Sequence, residues 1–353
     1  MKARDRSAGS ANGGKPLAAC IAALFVVAAI VLAPRLAPAD SAAAAGERRL
    51  RIVASIPPLA MLVSELAGDR AVVRSILPGG ADPHTFEPTP SDAKAVADAD
   101  IVVSLGSSID DWLGASIQAS PSATVVKLDA TPDGDDARDP HVWLDPLWVR
   151  EHAIAPLQRA LAAADPDGAA RFGASARAMT EHLTDLDVQI TRFFSHAITR
   201  SFVAWHPAWS IFARRYGLSA IDKIGEGEGR EPSLRAMIAT VRAARAVGVR
   251  AVLVEPRADS RLASVLADEI GVPMVTVDPI GDTSSVDRAT YSNLMLYNVR
   301  AFGRALGVHN DAASKGSDAG DGARDDPAGG SRNAATQAAG VAAPISERPP
   351  VLP

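Results

Sequence analysis

The chain has 353 residues, 47% of them hydrophobic, and is therefore long enough for two ordinary domains. Its formal net charge is −5 and no basic stripe is visible, so nucleic acid is not an expected partner. The single cysteine, Cys20, rules out an intrachain disulfide, so any soft-metal site elsewhere must use nitrogen and oxygen ligands.

The first 45 residues have the order of a secretory signal: basic residues, then the apolar run 16–34, then small residues. We interpret residues 1–45 as a signal peptide, cleaved near 39/40 or 45/46. A retained membrane anchor is the alternative, because the apolar run is nearly long enough to span a bilayer. Cys20 precedes most of that run, which does not suit a lipid-modified cysteine. In both cases the remaining chain is expected to be periplasmic or otherwise extracytoplasmic.

The other end of the chain differs in composition from the middle. Residues 309–353 are mostly Ala, Gly, Asp, Ser and Pro, with hardly any large apolar side chain. Such a segment cannot bury enough surface to offset its ordering entropy. We predict a disordered tail at 309–353 and a folded part at 48–308.

Strand and helix patterns alternate along the folded part, which favours parallel α/β layers. Strands are predicted at 50–56, 71–77, 100–106, 123–129, 201–205, 251–255 and 274–277. Helices are predicted at 58–68, 90–99, 207–216, 234–248, 260–271 and 290–306. In the helix 234–248, five apolar residues share one face that we interpret as core-facing: Leu234, Met237, Ile238, Val241 and Val247.

Residues 146–199 show helical spacing and no strand signal. The segment 167–198 predicts one helix about 45 Å long at 1.5 Å per residue. We therefore predict an N-terminal α/β lobe at 48–165, a linker helix at 166–199 and a C-terminal α/β lobe at 200–308.

Four polar residues come at loop starts where a ligand could bind. His84 follows the second predicted strand, His206 directly follows "SFVAW", Asp278 directly follows "MVTV", and His141 lies in "DPHVWLDP" (139–146). Ligands of open α/β sheets bind beyond the carboxyl ends of the strands. Each histidine alone is more simply packed or exposed, but three imidazoles and one carboxylate would complete a four-coordinate metal site.

Five motifs together resemble the zinc/manganese solute-binding proteins of bacterial ABC importers, over about residues 50–307. They are "PGGADPHTFEPTPSD" (78–92), "DPHVWLDP" (139–146), "WHPAWSIFARRYGL" (205–218), "GREPSLRAMI" (229–238) and "VDPIGD" (277–282). The resemblance implies two α/β lobes bridged by a long helix, with metal in the cleft between them. It assigns His84, His141, His206 and Asp278 as ligands, His206 at a position where members carry His or Glu.

The resemblance also implies a function without catalysis: a monomer that captures Zn²⁺ and passes it to an importer permease with a cytoplasmic ATPase. A metal chaperone is a further partner of some members. However, the stretch 129–139 is short, acidic and free of histidine, unlike the His-rich loop of many zinc members.

Three imidazoles favour zinc, whereas manganese, the alternative cargo, prefers more oxygen ligands. Asp82, Asp145 and Glu255 are candidates for carboxylates that orient the ligand histidines.

An exported zinc hydrolase is the alternative of another class. It would need an open metal position and a general base, for which Glu226, Glu228 and Glu231 are available. The same three glutamates suit a solvated loop equally, and the sequence has no HExxH or GxSxG motif. A surface adhesin ranks last, since no adhesion-specific feature is present.

Overall fold

The computed structural model describes residues 48–129, 139–221, 232–256 and 260–308. The predicted signal peptide, the predicted tail and the three glutamates at 226, 228 and 231 lie outside the described residues. Among the helices of the described part, none is long and apolar enough to cross a membrane.

The first lobe is built on a four-stranded parallel sheet with the order β2-β1-β3-β4. Its strands are β1 (Leu50–Ala54), β2 (Ala71–Ser75), β3 (Ile101–Ser104) and β4 (Thr124–Lys127). Its helices are α1 (Pro57–Ala67), α2 (Pro90–Ala97) and α3 (Gly114–Gln118). β3 is buried along its whole length, as expected for a strand with both faces covered.

The second lobe repeats this arrangement with a parallel sheet of order β6-β5-β7-β8. Its strands are β5 (Ser201–Ala204), β6 (Ser219–Ala220), β7 (Val252–Val254) and β8 (Met274–Thr276). Its helices are α7 (Ser210–Arg215), α8 (Leu234–Val247), α9 (Ser260–Ile270) and α10 (Tyr291–Leu306). β6 was not predicted, because two paired residues leave no periodic pattern to read.

A helical segment joins the two lobes. It consists of α4 (Pro146–Trp148), a π-helical turn (Val149–Ala153), α5 (Ile154–Ala164) and α6 (Ala169–Phe194). At 1.5 Å per residue, the 26 residues of α6 span about 39 Å. The fold class predicted from the sequence, two parallel α/β lobes and one long helix, is confirmed.

The buried face of α6 explains how one helix can serve both lobes. Its buried apolar residues recur at helical spacing: Phe172, Met179, Leu183, Leu186, Ile190 and Phe194. They belong to one hydrophobic cluster that also contains residues of α1 and α10. The linker is thus packed into a shared core, which favours a stiff connection between the lobes.

One packing prediction is wrong. Leu234, Ile238 and Val247 of α8 are 74%, 46% and 51% exposed, although their spacing indicated a core-facing surface. Periodicity identifies an apolar face but does not show whether another element covers it. In α8, Met237 and Val241 are partly buried against the second lobe and Ala244 is fully buried, while Leu234, Ile238 and Val247 face solvent.

Candidate metal centre

Three predicted histidines converge where the two lobes meet. His84, His141 and His206 can each offer one ring nitrogen such that these atoms all lie within 4.8 Å of one another. Their ring centroids are 5.3–5.5 Å apart. Among the described residues, this set of close ligand atoms comprises the histidines and does not extend to the fourth predicted ligand, Asp278.

His84 is positioned by a turn between β2 and α2. Its backbone N–H donates to Oδ1 of Asp82 at 2.9 Å, and the hydroxyl of Thr85 donates to the other carboxylate oxygen. An aspartate that accepts from the backbone two residues further on is a common turn-forming contact. Asp82 therefore fixes the loop that carries His84.

His141 is buried and is held by Asp139. Oδ1 of Asp139 lies 2.7 Å from Nδ1 of His141 and accepts the backbone N–H of the same residue at 3.0 Å. A carboxylate at Nδ1 favours the tautomer that leaves Nε2 as a lone-pair donor, the usual support for a metal-binding histidine. Asp139 was not among the supports predicted from the sequence, although "DPH" places the acid two residues before the imidazole. Asp145, one of the predicted supports, instead caps α4 through the backbone N–H of Leu147.

His206 follows β5 and Trp205 and brings a ligand from the second lobe. Its Nε2 lies 3.4 Å from Nε2 of His141. Burial, and then the neighbouring His141 and His84, lower the pKa of His206 to about 3. The imidazole is therefore neutral at physiological pH, which is the form that binds a metal ion.

Asp278 is almost fully buried beside the end of β8. Its Oδ1 accepts the backbone N–H groups of Ile280 and Gly281 at 3.1 and 2.8 Å. Its Oδ2 accepts from Nη1 of Arg288 at 2.8 Å. Asn298 of α10 pairs with both backbone groups of Asp278, accepting its N–H and donating to its carbonyl. The aspartate is thus rigidly held, with an arginine as its counter-ion.

Glu255, at the end of β7, adds a second acid to this region. Its Oε1 is buried and has no hydrogen-bond partner. Burial, and then the nearby Asp278 and Asp82, raise the pKa of Glu255 to about 8. A buried carboxyl without a partner, close to two other acids, indicates a place where a cation is favourable.

The donor set fits a zinc ion. A tetrahedral site with Zn–N bonds of about 2.05 Å separates its ligand atoms by about 3.4 Å. His141 and His206 already have this separation, and the 4.8 Å spread of the full set requires only a small approach by His84. Three imidazoles, one of them held by the carboxylate of Asp139, can therefore bind a divalent cation without a change of fold.

Comparison with known proteins identifies the family of this chain. The sequence model of the family described as "Zinc-uptake complex component A periplasmic" (ZnuA) matches residues 52–305. That match covers most of the chain, which therefore belongs to this family of metal-binding transport proteins. Membership assigns the protein to metal binding and not to an enzyme class, so the hydrolase alternative is set aside.

Individual relatives are named for different metals. The chain is 29% identical over 296 residues to the manganese-binding lipoprotein MntA of Halalkalibacterium halodurans, covering 80% of this chain and 97% of that one. It is 27% identical over 263 residues to the zinc-binding protein AdcA of Streptococcus pyogenes, covering 66% of this chain but only 51% of that one. The chain thus spans about half the length of AdcA.

A solved structure has the same fold. A crystal structure of ZnuA superposes with a TM-score of 0.64 at 27% identity, covering 71% of this chain and 97% of that chain. The two α/β lobes and the long helix are therefore features of the family and not of this chain alone.

Proposed function

We propose that this protein captures Zn²⁺ outside the cytoplasm and delivers it to the permease of an ABC importer driven by a cytoplasmic ATPase. The observation that carries the proposal is the convergence of His84, His141 and His206 from both lobes on one point. Metal is cargo here, so a site formed between two lobes suits both capture and release. The names of the relatives support the same class of function.

In the proposed site the three imidazoles are the primary ligands and Asp278 is the fourth. The carboxylate completes the coordination sphere once its Oδ2 is released from Arg288. Nitrogen donors outnumber oxygen donors in this set, which favours zinc over manganese. We also propose that the protein is monomeric and resides in the periplasm or elsewhere outside the cytoplasm. The same proposal includes an N-terminal lobe, a linker helix and a C-terminal lobe at 48–165, 166–199 and 200–308.

Manganese is the second cargo that a specific observation favours. The relative with 29% identity is named for manganese. The neighbouring carboxyl groups of Asp278 and Glu255 are oxygen donors that such an ion would prefer. Binding in solution cannot by itself decide between the metals, because nitrogen-rich sites bind zinc more tightly than manganese in general.

Uptake by cells tests the proposal directly. In medium depleted of metal by a chelator, a strain lacking the gene is expected to accumulate radioactive zinc slowly. The wild-type gene should restore the rate of zinc uptake. The His141→Ala gene should not restore it, whereas His196→Ala, at an exposed histidine outside the cluster, should. Normal zinc uptake in the deleted strain together with impaired manganese uptake would assign manganese as the cargo. Normal uptake of both metals would contradict the proposal.

A further inference from the structure

Arg288 is held at the metal centre by four groups. Nη1 donates to Oδ2 of Asp278 at 2.8 Å, Nη2 donates to the hydroxyl of Ser285 at 3.2 Å, and Nε donates to Asp287 at 3.3 Å. The guanidinium carbon also lies 4.9 Å from the centre of the Tyr297 ring. With its side chain 20% exposed, this arginine is a partly buried counter-ion of Asp278.

A metal ion on the carboxylate of Asp278 would compete with Arg288, because both cations are attracted to the same oxygen. Its Oδ1 already accepts two backbone N–H groups, so Oδ2 is the oxygen with capacity for a metal. That oxygen is the acceptor for Arg288. A divalent ion on Oδ2 would also bring a second cation close to the guanidinium, and like charges repel strongly at a buried site. Metal binding to Asp278 therefore weakens the contact with Arg288 and favours a position of the guanidinium further from Oδ2.

We propose that Arg288 is a specificity-determining residue that competes with metal for Asp278 and thereby disfavours manganese relative to zinc. The proposal rests on the zinc-binding function proposed above. While Arg288 holds Asp278, the site presents three imidazoles, which suffice to hold zinc with a water molecule as fourth ligand. Manganese prefers oxygen donors and depends more on the carboxylate. The need to displace Arg288 therefore lowers the affinity for manganese more than the affinity for zinc.

Withdrawal of Arg288 needs only a side-chain movement. Asp287, which already contacts Nε, has a side chain 60% exposed and can take the guanidinium nearer to solvent. Ser285 and the Tyr297 ring offer further contacts. The arginine thus retains favourable partners in both positions, as a reversible competitor must.

The affinities of Arg288→Gln for zinc and for manganese test the proposal, measured by competition with a chromophoric chelator. If Asp278 is free of Arg288 in about one molecule in ten, removing the arginine should tighten manganese binding about tenfold. Zinc binding should tighten by a smaller factor, so the zinc-to-manganese affinity ratio should fall. Arg288→Lys keeps the charge but not the forked contacts, so its manganese affinity should lie between those of wild type and Arg288→Gln. Arg300→Gln removes a charge from an exposed position on α10 and should change neither affinity.

A second substitution shows whether the tighter manganese binding of Arg288→Gln depends on the carboxylate of Asp278. In an Asp278→Asn background, Arg288→Gln should no longer tighten manganese binding. Manganese affinity that is unchanged or weaker in Arg288→Gln, or a gain that persists without the Asp278 carboxylate, would overturn the proposal. Failure of the wild-type protein to bind either metal would instead contradict the proposed function itself, so the two failures are distinguishable.

Discussion

The indole Nε1 of Trp143 donates to the backbone carbonyl of Pro279 at 2.7 Å. This hydrogen bond joins the residue two positions after His141 in the first lobe to the residue directly after Asp278 in the second. The carbonyl of Trp143 in turn accepts from the hydroxyl of Tyr291 at 2.8 Å, at the start of α10. One fully buried tryptophan therefore couples the loops that carry ligands from both lobes.

Replacing Trp143 by phenylalanine should weaken both the fold and the metal site. The substitution keeps an aromatic ring beside His141 but leaves the carbonyl of Pro279 without its donor. Loss of one partner of a buried hydrogen bond costs about 1–3 kcal/mol, which we expect in the free energy of unfolding. Zinc affinity should also fall, because the loop of Asp278 is no longer tied to that of His141. Urea unfolding and zinc titration measure the two effects.

Trp112→Phe is the matched control for this experiment. The indole of Trp112 donates to the carbonyl of Ile109 at 2.9 Å within the first lobe, so it makes the same kind of bond without linking the lobes. We expect it to lower the free energy of unfolding while zinc affinity stays at the wild-type level. Equal effects of both substitutions on zinc affinity would show that Trp143 has no special coupling role.

Acidification should destabilise the metal-free protein through His206. Its pKa falls from 6.5 to about 3 on folding, so above pH 6.5 the side chain is neutral in both states and contributes nothing. Below pH 6.5 the unfolded chain takes up a proton that the folded protein does not, and stability falls until about pH 3. At pH 5 this loss amounts to about 2 kcal/mol.

Chelator-treated protein unfolded in urea at pH 7 and pH 5 tests this effect. The free energy of unfolding should differ less between the two pH values in His206→Gln than in wild type. His196→Gln should resemble wild type. Parallel losses in wild type and His206→Gln would contradict a neutral, buried His206.

Ionisation of Glu255 should destabilise the metal-free protein as the pH rises, which is opposite to the effect of His206. The pKa of Glu255 rises from 4.5 to about 8 on folding, so the stability it contributes is complete below pH 4.5 and is lost as pH rises through 8. In the metal-free protein at pH 8, Glu255→Gln should raise the free energy of unfolding by on the order of 1–3 kcal/mol. At pH 4.5 the variant and wild type should be nearly equally stable, and a variant less stable at pH 8 would contradict this account.

Zinc binding should also release a proton from Glu255 near neutral pH, because a nearby cation favours the carboxylate. Calorimetric titrations in two buffers with different heats of ionisation measure that release. We expect the released fraction to be smaller in Glu255→Gln than in wild type. Identical release from both proteins would show that the carboxyl does not sense the metal.

Much of the fold could be predicted because its signals are local. Strands such as β1 and β3 are short runs rich in branched apolar residues, and α6 has long helical spacing of buried residues. His84, His141 and His206 could be selected because each follows a strand or lies in a proline-bounded loop. Their convergence required the tertiary fold, which the motifs could indicate only as a set.

The charged partners of the site could not be predicted in the same way. The contacts of Asp139 with His141 and of Arg288 with Asp278 depend on side-chain directions that no periodic pattern encodes. The exposure of α8 could not be predicted for a similar reason. The sequence shows the apolar stripe, but it does not show that no element of the described residues covers it. Asp278 is the clearest example, because its ion-pair partner is an arginine ten residues further along the chain.

The most direct test of the central claim is the zinc content of the purified protein, measured by mass spectrometry without a metal-binding tag. The account predicts about one zinc per chain, lost in a protein carrying both His141→Ala and His206→Ala. The exposed His196→Ala should retain the metal. No uptake of zinc by the wild-type protein, or undiminished zinc in the double variant, would show that these three histidines do not form the site.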